Sequence, residues 1–251
     1  MKLIILGSGV CVPSPKRVSS GYFLQTDFQN FLIDTGTGCL HNLAKSGMNY
    51  LDIDAIFYTH LHVDHVADLV TFLFALKNDP LSNRTKDLYL YGPVGFAGYF
   101  EKLKDLYGDT IANHKFEIKI IELKDGDFVE KNNLKIQTAH VEHTDNSLGY
   151  RFASDNKVIT FSGDSGYCDN IIKLSQDSDL AILECSAPEE YQVQGHLTPT
   201  LAGKVAQEAN VKRLILSHIY PGTDQYPLSE RCEKQFDGEV IIAQDLQVFE
   251  I

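Results

Sequence analysis

The sequence predicts an α+β fold, a four-layer αββα sandwich of two mixed β-sheets packed face to face with helices outside. Three observations lead there. Apolar runs of strand length follow one another in meander-like blocks, with helical segments set between others. No Pro/Ser linker, low-complexity stretch or charge run divides the 251 residues, so residues 1–251 read as a single domain. Four of the strands end in residues fit for chemistry: His60, Asp164, Glu184 and His218. In layered folds, sites gather beyond the carboxyl ends of strands, where loops diverge.

Each element has a local reason. "KLIIL" opens the chain as a strand; its apolar run is too short for the core of a signal peptide. "SGYFLQT" and "QNFLID" follow as strands, the second stopped by the turn "TGTG". Residues 38–46 read as a helix, and "IDAIFYT" as a short buried strand. After a polar cluster comes an apolar helix over 66–76, too short to span a bilayer and interrupted by Asp68. "KDLYLYGP" is a strand, and residues 96–106 are helical. The middle is strand-rich: "KFEIKII", "DFVEKNNLKIQTA", "SLGYRF" and "NKVITFSGD", with Asn156 in a hairpin turn. The last third alternates. "DLAILECS" is a strand, and "TPTLAGKVAQEAN" is a helix with Thr198 as N-cap and Pro199 at its first position. "VKRLILSH" is a strand, residues 228–235 are helical, and "GEVIIAQD" and "LQVFEI" close the chain.

Composition narrows the function. Apolar residues make up 43% and charged residues 22%, enough for a packed core. A net charge of −12 argues against a long polyanionic partner, because affinity for nucleic acid comes mostly from Lys and Arg on phosphates. A small phosphorylated substrate held by cations stays compatible with it. Cys11, Cys39, Cys168, Cys185 and Cys232 form no C-x-x-C pair and read as reduced thiols. The expectation is a soluble, cytoplasmic protein with no membrane partner.

The segment "YTHLHVDHVADL" concentrates three histidines and two aspartates in residues 60–68. His60 and His62 lie two apart, so on extended backbone both imidazoles point the same way. Asp64 and His65 fall where the chain turns into a helix. One short segment thus aims two imidazoles at one point and a carboxylate plus an imidazole at a neighbouring point. That suits two cations sharing a wall. Imidazole with carboxylate fits zinc best, with manganese and iron also accepted.

"THLHVDH" matches the T-H-x-H-x-D-H signature of the metallo-β-lactamase superfamily of binuclear metal hydrolases, which the chain resembles over nearly its whole length. The resemblance implies three further ligands. One is a histidine shortly before a Gly-aromatic pair. "AHVEHTDNSLGYRF" offers His140 and His143; His143, followed by Thr144, fits better, leaving His140 as a strand-end polar residue or a support for the ligands. The second is the aspartate of "FSGDSG", Asp164, and the third the histidine of "LILSHIYP", His218. The implied centre puts His60, His62, His143 and Asp164 on one metal, and Asp64, His65, His218 and Asp164 on the other. A water between them would have its pKa drawn toward neutrality.

Finer features resemble the ribonuclease Z branch: "LGSGVCVPSPKRVSSGYFL", "LYLYGPVG", and "DSDLAILECS" followed by "GHLTPTLAGKVAQEANVKRLILSH". By that resemblance Asp64 holds or deprotonates the water, and His196, oriented by Glu184, protonates the leaving oxygen. Arg17 is placed to approach a phosphate or to form a surface salt bridge. The branch also implies a homodimer. One departure counts against tRNA: the tRNA-processing enzymes carry a long arm between the third histidine and the S-G-D aspartate. Here His143 and Asp164 are 21 positions apart, filled by a hairpin. The first expectation is therefore a phosphodiesterase acting on a small phosphodiester or cyclic nucleotide. The alternatives are a tRNA 3′-end endonuclease, a lactonase or thioesterase on the same metals, and a non-enzymatic metal-binding protein.

Overall fold

Alternation along the strands decides the layers. In β1 (Lys2–Gly7), Leu3 and Ile5 point to one side and Ile4 and Leu6 to the other. The first pair enters a core between two sheets, the second a core under helices. The computed structural model describes residues 1–112, 115–131 and 133–251.

The first sheet holds β1, β2 (Gly21–Gln25), β3 (Asn30–Thr35), β4 (Ala55–Phe57), β5 (Leu88–Pro93) and β6 (Ile118–Leu123). The second sheet holds β7 (Phe128–Lys131), β8 (Leu134–His140), β9 (Leu148–Ser154), β10 (Lys157–Phe161), β11 (Leu180–Glu184), β12 (Arg213–Ser217) and β13 (Glu239–Ile242). The last strand, β14 (Val248–Glu250), returns to the first sheet beside β1. Each sheet has seven strands, ordered β14-β1-β2-β3-β4-β5-β6 and β13-β12-β11-β10-β9-β8-β7. Both are mixed: β3 to β6 run parallel, as do β10 to β13, and the remaining pairings are antiparallel.

Between the sheets, Phe31, Phe57 and Tyr91 of one face meet Tyr150, Phe152 and Phe161 of the other. Phe57 stacks on Tyr91 with centroids 4.5 Å apart and meets Phe152 edge-on at 5.2 Å. Helices α1 (Cys39–Lys45), α2 (Val63–Val66), α3 (Asp68–Asn78) and α4 (Phe96–Tyr107) cover the outer face of the first sheet, burying Leu43, Val66, Phe72 and Phe100. Helices α5 (Asp169–Leu174), α6 (Pro199–Glu208) and α7 (Leu228–Glu233) cover the second, burying Ile171, Val205 and Cys232. The order is helix, sheet, sheet, helix, the four-layer sandwich expected from the sequence. Among the described residues no helix is long and apolar enough to cross a membrane.

Local chemistry behaves as the sequence predicts at several points. Thr198 caps α6 by accepting the Leu201 N–H at 3.3 Å, with Pro199 first in the helix. Asp155 and Asn156 join β9 to β10 with φ of 52° and 61°, the left-handed pair of a tight hairpin. Two elements depart from expectation. The stretch 127–139, read as part of the strand-rich middle with no turn assigned inside it, folds back on itself, pairing β7 with β8 antiparallel; residue 132 lies outside the described residues. Residues 169–174, not read as an element, form α5, a short six-residue helix whose Ile171 and Leu174 fill the outer core. Six residues are too few to register a helical period.

The parallel strands β4, β10, β11 and β12 all end at the same edge of the sandwich, and the sheets bring that edge together from both sides. The candidate site lies there.

Candidate metal centre

β4 ends at Phe57, the chain bends at Thr59, and His62, the N-cap of α2, has extended backbone (φ −65°, ψ 148°). One helical turn then carries Asp64 and His65. The other candidates arrive from the second sheet: His143 after β8, Asp164 after β10, Glu184 at the end of β11 and His218 directly after β12.

These side chains converge. His60, His62, His143 and Asp164 form one group of ligand atoms, all within 4.8 Å of one another; Asp64, His65 and His218 form a second by the same measure. Asp164 lies between them. Its Oδ2 is 3.7 Å from the Nε2 atoms of both His60 and His143, and its Oδ1 is 3.3 Å from those of His65 and His218. His218 Nε2 also lies 3.6 Å from Asp64 Oδ2. The nitrogens face each other: His143 Nε2 to His62 Nδ1 is 3.1 Å, His65 Nε2 to His218 Nε2 is 3.4 Å.

This donor set fits divalent cations. Bonds of about 2.1 Å in a tetrahedral zinc site set ligand atoms about 3.4 Å apart, and the spacings above cluster around that value. Two buried atoms in the middle, His60 Nε2 and Asp164 Oδ1, have no hydrogen-bond partner. Buried polar atoms are rarely left so, and a ligand ion is one standard reason.

Charge points the same way. Burial alone would raise the Asp164 carboxyl, but His218, His65 and His60 outweigh it and hold it well below the ordinary range. Asp64 is brought down to about 2; burial opposes this, and the hydrogen bond and charge from His218, with that of His65, prevail. His60 is pushed well below the usual imidazole range, first by burial and then by His65. His65 goes the other way: burial lowers it, yet Asp164 and Asp34 raise it well above normal. Ionised carboxylates and a neutral His60 are in the state in which such ligands take up a cation, whereas His65 must release its proton to do so.

Outer atoms fix the rings. His60 Nδ1 meets Thr59 Oγ1 at 3.1 Å, His143 Nδ1 donates to the Gly195 carbonyl at 3.1 Å, and His218 Nδ1 meets Ser186 Oγ at 3.1 Å. Glu184 is 2% exposed; its Oε1 lies 2.6 Å from His196 Nδ1 and accepts the Ser165 N–H. Burial would lower the His196 pKa, but the hydrogen bond and charge of Glu184 raise it. The His196 ring is parallel to that of His218, 5.9 Å away, and 4.7 Å from that of His143. It therefore borders both ligand groups.

Not every candidate faces the centre. His140 points aside, its Nε2 3.2 Å from the Thr144 carbonyl, where it ties down the loop bearing His143. Arg17 donates to Ser8 Oγ at 2.7 Å, to the Ala243 carbonyl and to Asp224 at 2.8 Å. Of its two expected roles, the salt bridge is the one in place.

The sequence reading missed Asp34 and Ser186. Asp34 is the penultimate residue of β3 and is 1% exposed. It accepts from Thr59 N and Thr59 Oγ1, both at 2.8 Å, and holds His65 Nδ1 at 2.8 Å. It does so at φ 56°, a left-handed backbone uncommon outside glycine. The signal was present: "FLID" is a fifth apolar strand ending in a chemically active residue. Ser186 bridges Glu184, His196 and His218 through its hydroxyl. Nothing in "ECSAPE" marks it, because a serine after a strand is commonplace.

Gly36 shows how tightly the first sheet backs the centre. A Cβ there would lie 2.0 Å from the Asp64 carbonyl oxygen and 2.8 Å from that of Ser20. Gly36→Ala should displace the segment carrying Asp64 and His65. The expected result is loss of more than half of the bound zinc, read by elemental analysis, with circular dichroism showing retained secondary structure. Unchanged zinc content would show that the loop moves aside freely.

Known proteins share this arrangement of chain. Residues 29–219 match the family described as the beta-lactamase superfamily domain. The chain is 26% identical to a ribonuclease Z of Archaeoglobus fulgidus, in an alignment covering all of this chain and 97% of the relative. That alignment spans 306 positions against 251 residues here, so 55 positions of it have no counterpart in this chain. Among solved structures, the metallo-beta-lactamase fold protein YhfI from Bacillus subtilis superposes with a TM-score of 0.88 at 25% identity, covering 100% of this chain and 99% of YhfI. Human tRNase Z, short form (ELAC1), superposes with a TM-score of 0.83, also at 25% identity, covering 100% and 99%.

Proposed function

The chain belongs to the beta-lactamase superfamily, and from that membership we propose that it is a binuclear phosphodiesterase of the ribonuclease Z kind, cutting an RNA phosphodiester. The observation that carries this is the Glu184–His196 pair, 2.6 Å apart, bordering both ligand groups. A site that only stored metal would need no such pair. The full-length likeness to enzymes named ribonuclease Z supports RNA over the small phosphodiester that the sequence put first.

His60, His62, His143 and Asp164 would hold one ion, and Asp64, His65, His218 and Asp164 the other. Zinc suits them best, with manganese and iron also accepted. Such ions supply positive charge for the non-bridging phosphate oxygens and acidify a water. The residues do the rest. Asp64, ionised at neutral pH, accepts a hydrogen bond from the attacking water and orients it. His196, its Nδ1 tied to Glu184, presents Nε2 to the leaving oxygen and hands it a proton. Asp34 and Ser186 keep the imidazoles from turning.

One observation favours a second reading, a small or cyclic phosphodiester. The interval between His143 and Asp164 is β9, a two-residue turn and β10, with no segment projecting from it to grip a large RNA. The net charge of −12 agrees.

The test is hydrolysis by zinc- or manganese-loaded protein of precursor tRNA, 2′,3′- and 3′,5′-cyclic nucleotides, bis(p-nitrophenyl) phosphate and a panel of lactones and thioesters. Endonucleolytic cleavage of precursor tRNA is the expected result. Cleavage of cyclic or aryl diesters alone would replace it with the second reading. Activity on carboxyl esters alone would overturn both.

A further inference from the structure

Beside the centre, the loop leading to His196 and the loop following His218 enclose a cleft of about 300 Å³. Pro188, Tyr191, Val193, Tyr220 and Tyr226 line it, and none of its lining residues is charged. Tyr220 joins it to the centre: its ring stands edge-on to that of His218, 6.4 Å away. Tyr191 and Tyr226 meet edge-to-face at 6.2 Å. Tyr191 is nonetheless 64% exposed and Val193 52%, an unusual cost for large apolar groups beside a polar site.

The platform is held in place. Arg231 lies against the Tyr226 ring, 5.5 Å from its centroid, and pairs with both Glu189 and Glu190. Glu189 in turn accepts from Thr200 N and Oγ1 at the start of α6. Arg231 is thus committed to the loop and not offered to a second phosphate. An uncharged, tyrosine-lined cleft next to the centre fits a nucleobase. Stacking on tyrosine suits any base, because every base has a π-face.

We propose that this cleft takes the nucleobase of the nucleotide held at the centre, stacked on Tyr191 and packed against Tyr220 and Tyr226. The inference rests on the phosphodiesterase reading, since only a nucleotide substrate brings a base to this position. It makes Tyr191 a specificity-determining residue, setting nucleotides apart from other phosphodiesters.

Calorimetry on zinc-loaded protein tests it, with adenosine 3′- and 5′-monophosphate against base-free ribose 5-phosphate, and with bis(p-nitrophenyl) phosphate hydrolysis measured in parallel. At least one adenosine isomer should bind about tenfold or more tightly than ribose 5-phosphate. Tyr191→Ala should erase that advantage and Tyr191→Phe should keep it. Equal affinities in the wild type, or an advantage that survives Tyr191→Ala, would overturn the proposal. A base preference without any phosphodiester hydrolysis would leave the cleft standing and remove the phosphodiesterase reading.

Discussion

Asp164→Ala should cut hydrolysis of bis(p-nitrophenyl) phosphate by at least about 10³-fold and lower bound zinc from about two per chain to one or fewer. The carboxylate divides its oxygens between the two imidazole groups, Oδ2 toward His60 and His143, Oδ1 toward His65 and His218. Removing it takes one ligand from each group at once. It also leaves His60 and His143 converging without the carboxylate they share. Both readouts should therefore fall together, as removal of an outlying ligand would not make them do. His62→Ala is the comparison: it takes a ligand from one group only and should spare the zinc on the other. Should Asp164→Ala retain two zinc ions and most of its rate, the two groups would be independent and the binuclear reading would fail. Elemental analysis beside initial rates decides it, and circular dichroism separates metal loss from unfolding.

Much of this arrangement was legible because the candidate ligands sit at strand ends. A strand writes itself in the sequence as an apolar run, and the residue that ends it is marked by contrast. His60, Asp164, Glu184 and His218 stand out in that way, and the compressed spacing of His60, His62, Asp64 and His65 adds a second signal. The sandwich followed from the same runs. What stayed hidden depends on contacts between distant segments. Asp34 ends its apolar run like the others, but its partners Thr59 and His65 come 25 and 31 positions later. Ser186 acts through a hydroxyl whose three partners come together only when β11, β12 and the loop to His196 are in place. The Tyr191 cleft has no periodic signature, since its rings lie on two loops. The choice of substrate is the least legible part. The proposed phosphodiester chemistry rests on a few side chains, whereas a preference for large or small substrates rests on the shape around them.

His196→Ala should leave both zinc ions bound and yet separate substrates by their leaving groups. His196 touches the centre from outside, stacked 5.9 Å from His218 and fastened to Glu184, and is absent from both four-residue ligand groups proposed above. Its proposed task is to give a proton to the departing oxygen. A p-nitrophenolate leaves readily without one, so the variant should lose less than about tenfold on bis(p-nitrophenyl) phosphate. A ribose alkoxide is a far poorer leaving group, so cleavage of an RNA or cyclic nucleotide should fall about 10² to 10⁴-fold, the usual worth of a positioned general acid. Glu184→Gln should show the same pattern more weakly, because it keeps the hydrogen bond to Nδ1 and loses the charge that raises the His196 pKa. The contrast between the two substrates carries the argument. A uniform loss on both would make His196 a part of the metal-binding frame, and a loss of zinc in the variant would do the same more directly. If instead neither substrate is affected, the proton comes from elsewhere, and the short Glu184–His196 contact serves only to anchor the loop that leads into α6.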